Sequence, residues 1–327
     1  MQCYIGSYTK LGGPGIAVVE ESDGKLTLLS TESSLKDPIF VTLSHDETVL
    51  FATGADPKTD AGVAATYAIC GKQLKLTSMV EAHGSDVCHA VLSADERFLY
   101  TANYATGCIT AFPVVDGKLL PSIQHIVHEG SGPALPRQAS AHTHQCLFRP
   151  GTNELFVCDL GMDTIFIYEQ DPATGLLSEK ETIHTEPGMG PRHILFAYAD
   201  FFYLVGELDC HAACYRLVDG QWLCLQRIAL LPADFTEKNT AAAIRLHEGK
   251  LYVSNRGHNS VCVIALHADG TFGSTAYIPS QGVNPRDFDF TPEGRIMFAN
   301  QNGGGLVVQN GDVLDLNGVV CVCLPKQ

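Results

Sequence analysis

Five charged or titratable side chains occupy matching points of a repeated sequence pattern, and together they could carry out proton transfer on an anionic ligand. They are His144, Arg192, Glu207, Arg256 and Arg286. Guanidinium groups bind carboxylate or phosphate through paired hydrogen bonds and stabilise a developing oxyanion. An imidazole can take a proton from water near neutral pH. A carboxylate can orient that imidazole or act as a second proton-transfer group.

The elements that must position these residues form a unit that is repeated seven times. Each unit holds a run of alternating apolar residues that ends in a small or polar turn. The runs begin at positions 4, 51, 100, 156, 203, 252 and 298. Their spacings, 46 to 56 residues, are typical of β-propeller blades. A whole unit such as residues 88–127 shows four short period-2 runs and Asp/Gly turns, with no convincing helical pattern.

The two ends of the chain complement each other. The first unit begins with its second strand, whereas an extra apolar run, residues 319–324, follows the last unit. The C-terminal run therefore supplies the missing inner strand of the N-terminal blade and leaves no open sheet edge. We predict an all-β fold: one seven-bladed β-propeller domain over residues 1–327, closed in this way.

Alignment of the repeats places the five residues at one mouth of the central channel. The start of an inner strand and the end of its antiparallel neighbour lie on the same face of the disc. The inner-strand starts are Ile39, Cys88, His144, Arg192, Ala241 and Arg286. The ends of the second strands are Tyr8, Ala55, Tyr104, Leu160, Glu207, Arg256 and Asn302. Isolated ion pairs between blades would not need to collect on one face, so the cluster predicts an anion site.

Composition excludes several classes of function. The net charge is −15, with 21 basic against 36 acidic residues, which argues against nucleic acid and anionic membranes as partners. No apolar run approaches 18 residues, and the N-terminus enters a strand pattern without a basic or apolar leader, so we expect a cytoplasmic protein. The twelve cysteines form no CxxC pair and are interpreted as reduced packing residues.

Common catalytic motifs are missing. The chain has no G-x-S-x-G elbow and no phosphate-binding glycine loop between a strand and a helix; Gly303-Gly304-Gly305 is interpreted as a turn. His142 and His144 could share a metal, but no third ligand stands at a matching position, so we expect neither metal nor cofactor. Two polar inserts, residues 128–142 and 231–240, are long loops of the kind that carry function.

At these residues the chain resembles the β-propeller 6-phosphogluconolactonase family, which is related to fungal carboxy-muconate lactonizing enzymes. The resemblance covers essentially the whole chain. Its densest segments are Arg137-Gln138 with His142-x-His144, Asp159-Leu160-Gly161-x-Asp163, Gly190-Pro191-Arg192-His193, Glu207-Leu208, residues 254–260 and Asn284-Pro285-Arg286-Asp287-Phe288. The resemblance implies a catalytic set of His144, Arg192, Glu207 and Arg256. It also implies metal-free hydrolysis of 6-phospho-D-glucono-1,5-lactone to 6-phosphogluconate in the oxidative pentose phosphate route.

These residues suggest a division of roles. His144 activates water, Arg192 and Arg256 stabilise the oxyanion, and Glu207 positions the water or relays the proton. Arg137, Gln138, His142 and Arg286 are expected to contact the substrate, with an arginine on its phosphate. Where the family usually has an acidic residue this chain has Ala243, which predicts an altered charge near Arg256.

Two other functions stay open. The same arginines would serve a cycloisomerase, or a lactonase acting on a carboxylated muconate-type lactone. The propeller could also be a non-catalytic interaction platform, although it has only 8% aromatic residues and one tryptophan.

Overall fold

The N- and C-terminal strands share one blade and close the ring. The protein is described by a computed structural model, which covers residues 1–325; the predicted domain extends over residues 326–327, which lie outside the described residues. Val319–Cys323 pairs antiparallel with Gln2–Ser7, with Tyr4 opposite Cys323 and Gly6 opposite Cys321. The predicted closure is therefore confirmed.

Seven antiparallel sheets follow one another along the chain. Blade 1 consists of Val319–Cys323, Gln2–Ser7, Ile16–Ser22 and Lys25–Glu32. Blade 2 consists of Lys36–Leu43, Val49–Ala55, Gly62–Cys70 and Gln73–Glu81. Blade 3 consists of Val87–Leu92, Phe98–Asn103 and Cys108–Val115, with Lys118–Leu119 and Gln124–Val127 both paired to the last of these. Blade 4 consists of Thr143–Phe148, Glu154–Asp159, Thr164–Gln170 and Leu177–His184.

The remaining blades repeat the same order. Blade 5 consists of Pro191–Tyr198, Phe201–Gly206, His211–Val218 and Gln221–Ala229. Blade 6 consists of Thr240–His247, Lys250–Arg256, Ser260–Leu266 and Phe272–Pro279. Blade 7 consists of Val283–Phe290, Ile296–Gly303, Gly305–Val308 and Val313–Leu314. Within the described residues the one helical element is the 3-10 helix Thr9–Leu11, and no helix is long and apolar enough to cross a membrane.

Apolar side chains hold neighbouring blades together. Because successive residues of a strand point to opposite faces, each blade presents apolar residues to both neighbours. Seven buried clusters result, each dominated by residues of two adjacent blades. Phe51, Tyr100, Phe156, Tyr203 and Phe298, which begin five of the repeated runs, are all buried. The period-2 pattern of the sequence is thus the packing pattern of the blades.

The innermost strands of the blades surround a central channel. Each innermost strand contacts that of the next blade, and Val319–Cys323 lies between Val283–Phe290 and Lys36–Leu43. Antiparallel pairing brings the end of a second strand beside the start of the first, as for Pro191 opposite Gly206 and Thr240 opposite Arg256. These ends surround one mouth of the channel.

Candidate active site

A cavity of about 300 Å³ occupies this mouth. Its walls are formed by Tyr8, Ile39, Asp86, Cys88, Tyr104, Arg137, His144, Glu207, Thr240, Arg256 and Arg286. Five of the predicted site residues are thus brought together: Arg137, His144, Glu207, Arg256 and Arg286. Arg192, Gln138 and His142 do not line the cavity. The tyrosines at positions 8 and 104, which the repeat alignment placed at strand ends, add aromatic surface to the wall.

Bulges in the inner strands aim the site residues. In blade 4 the pairing shifts between Thr143 and Gln145, so His144 has no partner in the register. Similar shifts isolate Arg192 in blade 5 and Arg286 in blade 7. A bulged residue leaves the alternation of its strand, and its side chain can point where a regular strand would not send it. The bulge is therefore the local device that presents these side chains near the channel axis.

Glu207 is the centre of the charged cluster. Its Oε2 accepts hydrogen bonds from Arg192 Nε at 2.9 Å and from Arg256 Nη2 at 2.8 Å, and its Oε1 accepts from Arg137 Nη2 at 2.5 Å. Burial would raise the pKa of Glu207, but the charges of Arg256 and Arg192 hold that pKa well below its usual range. Glu207 is therefore an ionised carboxylate, and arginines occupy both of its oxygens.

His144 is a buried and neutral imidazole. Burial lowers its pKa, and Arg192 lowers that pKa further, to well below the usual value of 6.5. Its Nε2 lies 4.0 Å from Glu207 Oε2, too far for a hydrogen bond, and its Nδ1 has no hydrogen-bond partner within the described residues. His144 thus has free capacity to accept a proton.

Two arginines of the mouth keep unused donors. Arg256 donates through Nη2 to Glu207 and to the Ala241 carbonyl at 3.0 Å, but its buried Nε has no partner within residues 1–325. The Arg286 guanidinium makes no hydrogen bond or ion pair with the described residues, and it lies 5.6 Å from the centre of the Tyr8 ring. The mouth therefore offers guanidinium donors that protein groups do not satisfy.

Comparison with known proteins assigns the chain to a family. Residues 2–312 match the family model described as lactonase, 7-bladed β-propeller. The chain belongs to this lactonase family. It is 32% identical to the 6-phosphogluconolactonase of Bacillus subtilis, over 94% of this chain and 90% of that protein.

Solved structures show the same fold over the whole chain. The periplasmic gluconolactonase of Pseudomonas aeruginosa superposes with a TM-score of 0.90 at 29% identity, covering 98% of each chain. A protein from Lactobacillus plantarum superposes with a TM-score of 0.89 at 31% identity, covering 98% of this chain and 99% of that one. The lactonase fold and family predicted from the sequence are confirmed.

Arg192 lies behind the wall of the mouth cavity. It is 2% exposed and lines a second, deeper cavity instead of the mouth. One of its hydrogen bonds holds Glu207, and its Nη1 lies 3.3 and 3.2 Å from the two ring nitrogens of His193. The expectation that a substrate carbonyl sits beside Arg192 therefore needs revision, because its place suits a residue that acts through Glu207.

Gln138 and His142 hold the insert of residues 128–142 in place through hydrogen bonds. The Gln138 amide is fully buried and donates to the Leu160 carbonyl at 2.8 Å and to Asp163 Oδ1 at 2.7 Å. His142 stacks on the Tyr104 ring and bonds the Tyr104 carbonyl through Nδ1 at 2.8 Å. Neither side chain lies where a substrate contact was expected, because these bonds direct both side chains toward protein groups.

Two buried aspartates position the site, although sequence reasoning gave them no role. Asp163 accepts from the Gly188 and Gly190 amides at 2.6 and 2.8 Å, which fixes the turn before Arg192. Asp159 accepts from the His142 amide at 2.8 Å and lies 2.7 Å from His128 Nδ1. Their only signal was their place in the motif shared with the family.

Ala243 has no part in the charged cluster. It packs in the apolar cluster between blades 6 and 7, beside Phe288 and Phe298. The predicted change of charge near Arg256 stays a prediction.

The described residues contain no group of three His, Cys, Asp or Glu side chains arranged to hold a metal ion. Independence from a metal stays a prediction for experiment to test.

Proposed function

We propose that this lactonase hydrolyses 6-phospho-D-glucono-1,5-lactone to 6-phosphogluconate. The observation that carries the proposal is the surplus of positive charge at the mouth and just behind it, where Arg137, Arg192, Arg256 and Arg286 outnumber the carboxylates of Glu207 and Asp86. The protein as a whole carries a net charge of −15. Such a local reversal of charge favours an anionic substrate. The name of the Bacillus relative supports a phosphorylated one.

His144 takes the proton of the attacking water. Its ring is neutral, so a ring nitrogen accepts the proton while the water oxygen bonds to the lactone carbonyl carbon. When the tetrahedral intermediate collapses, the bond from that carbon to the ring oxygen breaks. The imidazolium returns its proton to the departing alkoxide, which leaves a hydroxyl and a free carboxyl group. Atoms and protons balance without any further reactant.

Arg256 is the residue that best fits oxyanion stabilisation. It lines the mouth and its Nε–H has no protein acceptor, so a developing negative charge would supply the missing partner. Glu207 holds Arg256, Arg192 and Arg137 in place through hydrogen bonds. We assign Glu207 and Arg192 as positioning residues, because both oxygens of Glu207 are occupied by arginines.

Arg286 is the arginine available for the anionic end of the substrate, and Arg137 lies at the rim of the mouth. Arg286 has no carboxylate partner, and the Arg137 side chain is 43% exposed at the rim. A bidentate guanidinium fork suits a phosphate.

The compartment and pathway belong to the proposal as well. The twelve cysteines are all free thiols, which fits a reducing cytoplasm, where the product would enter the pentose phosphate route. The Pseudomonas relative is described as periplasmic, so fractionation of the native host is the direct check.

A substrate panel tests the proposal. Purified protein is assayed for initial rates on phosphorylated gluconolactone, unphosphorylated gluconolactone and a carboxylated muconate-type lactone, each against spontaneous hydrolysis, with and without EDTA. We expect the highest kcat/KM for the phosphorylated lactone, unchanged by EDTA. Preference for the carboxylated lactone would overturn the substrate assignment. No acceleration of any lactone would favour a non-catalytic platform.

A further inference from the structure

A second cavity of about 140 Å³ lies in the channel beneath the mouth. Its walls are Ile39, Phe40, Cys88, His89, His144, Gln145, Arg192, His193, Arg245, Arg286, Asp287, Val320 and Cys321. Four residues, Ile39, Cys88, His144 and Arg286, line both this channel cavity and the mouth. The mouth and the channel cavity are therefore adjacent, with His144 and Arg286 between them.

The channel cavity has polar groups that no protein partner satisfies. His89 is 7% exposed, and its Nδ1 has no hydrogen-bond partner within residues 1–325. His144 Nδ1 is equally unpartnered. Gln145 accepts from the Ile194 amide through Oε1 at 2.7 Å, and its Nε2 makes no bond with the described residues. Together with the free guanidinium of Arg286, these groups supply donors at several points of the wall.

The acceptors of the same wall are already occupied. Asp287 accepts from Arg245 Nη2 at 2.9 Å and from the Val322 amide at 3.0 Å. Arg245 in turn donates to the Ile244 carbonyl and pairs with Asp289, so its positive charge is offset by two carboxylates. Each neutral imidazole can donate through one ring nitrogen, and the Arg286 guanidinium has donors only, so several groups of the wall can donate to an anion.

The charge and the volume of the channel cavity both favour a small anion. Arg192 and Arg286 contribute positive charge, and the histidines stay neutral because burial and Arg192 lower the pKa of His89 and of His193. The carboxylate of this wall, Asp287, is already paired with Arg245, so the wall favours an anion over a cation. A volume of about 140 Å³ corresponds to roughly four or five water molecules, enough for a tetrahedral oxyanion.

We propose that the channel cavity is a binding subsite for a tetrahedral oxyanion of the phosphate type. Resting on the proposed function, the same subsite takes the phosphate of the substrate, with the lactone ring above it beside His144. Free inorganic phosphate has the same chemistry and binds at the same place.

A neighbouring cavity on the same face is the weaker candidate for the phosphate. It holds Lys10 and Lys36. However, Lys10 pairs with Asp37 at 3.2 Å and Lys36 pairs with Asp60 at 2.6 Å, so each lysine is neutralised. Lys36 therefore provides a matched control.

Binding of inorganic phosphate tests the subsite without any catalysis. Calorimetry in a phosphate-free buffer should show one site in the wild type. His89→Phe keeps an aromatic ring against Phe40, whose centroid is 4.2 Å away, but removes the donor. It should weaken phosphate about 10- to 100-fold, the value of one hydrogen bond to a charged group. His89→Gln, which retains a donor, should restore most of the affinity, and Lys36→Gln should change it less than two-fold.

A crystal grown with arsenate gives an answer that needs no variant. An anomalous peak between His89 and Arg286 supports the subsite. A peak between Lys10 and Lys36, no binding to the folded wild type, or weakening by Lys36→Gln instead of His89→Phe would overturn it.

Kinetics separate the substrate's phosphate from the free ion. Inorganic phosphate should compete with phosphorylated gluconolactone, and His89→Phe should lower the ratio of kcat/KM for phosphorylated over unphosphorylated lactone about 10- to 100-fold. Phosphate that binds at His89 without competing would overturn the assignment to the substrate. If no lactone is hydrolysed but phosphate binding still depends on His89, the proposed function fails while the subsite stands.

Discussion

Two buried glutamates of this propeller bind cations in the same way but lie in different charge balances. Glu154, in blade 4, accepts from Arg149 at 2.7 Å and from Lys180, and Lys180 lies 3.8 Å from Glu169. Two cations therefore meet two carboxylates. Glu207 meets three arginines directly, and Arg286 adds a fourth charge nearby.

Ion pairs between a buried glutamate and its cations can therefore stabilise the fold or leave positive charge available for a ligand. The Glu154 cluster cancels its own charge, and its Lys180 side chain is 44% exposed, so it needs no further partner. The Glu207 cluster is left with a positive surplus and unpartnered donors. An anionic ligand would complete the Glu207 cluster.

The largest contrast should appear when each carboxylate is neutralised. Glu207→Gln leaves buried arginines without their counter-charge and should lower the free energy of unfolding by about 3–5 kcal/mol. Glu154→Gln affects partners that are partly solvated and should cost about 1 kcal/mol or less. Urea unfolding followed by circular dichroism at pH 7.5 measures both, and equal losses would contradict the comparison.

Removing one arginine from each cluster should separate activity from structure. Arg256→Gln takes away the proposed oxyanion donor and should lower kcat/KM by about 10²- to 10³-fold. Arg149→Gln, the matched change beside Glu154, should leave kcat/KM within two-fold. Steady-state rates on phosphorylated gluconolactone decide the matter; a similar loss in both variants would indicate a general structural effect.

Acid should destabilise the region around the positive surplus. Burial first, and then Arg192, lowers the pKa of His89 to about 3, whereas an unfolded histidine titrates near 6.5. The unfolded chain therefore binds a proton that the folded chain does not, and stability falls as the pH drops below 6.5. The loss from His89 should be about 2 kcal/mol at pH 5. Unfolding free energies at pH 7 and pH 5 should show this decrement in the wild type and a smaller one in His89→Phe. An equal loss of unfolding free energy in the wild type and in His89→Phe would show that His89 is not the group responsible.

The smallest effect concerns the pH dependence of activity. Arg286 is one of the charges that lower the pKa of His144, and the proposed base must be neutral. The acid limb of kcat/KM in the wild type should therefore lie below pH 6.5. In Arg286→Gln the limb should move to higher pH, whatever the absolute rate. Profiles from pH 5 to 8 measure the direction of this shift, and a limb that stays in place would argue against His144 as the titrating base.

Sequence periodicity was sufficient to predict the blades and their closure. Alternating apolar residues and turns repeat in every unit, and the fragments 2–7 and 319–323 complete one blade only together. The same alignment was sufficient to bring His144, Glu207 and Arg256 to one mouth, because antiparallel pairing fixes which strand ends share a face.

Details that depend on side-chain packing could not be predicted. A bulge adds one residue without changing the apolar pattern, so the re-aiming of His144 and Arg192 left no trace in the sequence. Burial decides that Gln138 bonds protein groups and that Arg192 faces the channel cavity. The ionised state of Glu207 likewise depends on distances to three arginines from different parts of the chain.

The central claim, that His144 is the base of an anionic-lactone hydrolase, is tested most directly by chemical rescue. The kcat of His144→Ala on phosphorylated gluconolactone should be about 10²- to 10⁴-fold below the wild type, and added imidazole should restore part of it. A variant within a few-fold of the wild type would contradict the account, as would a folded, inactive variant that imidazole does not rescue.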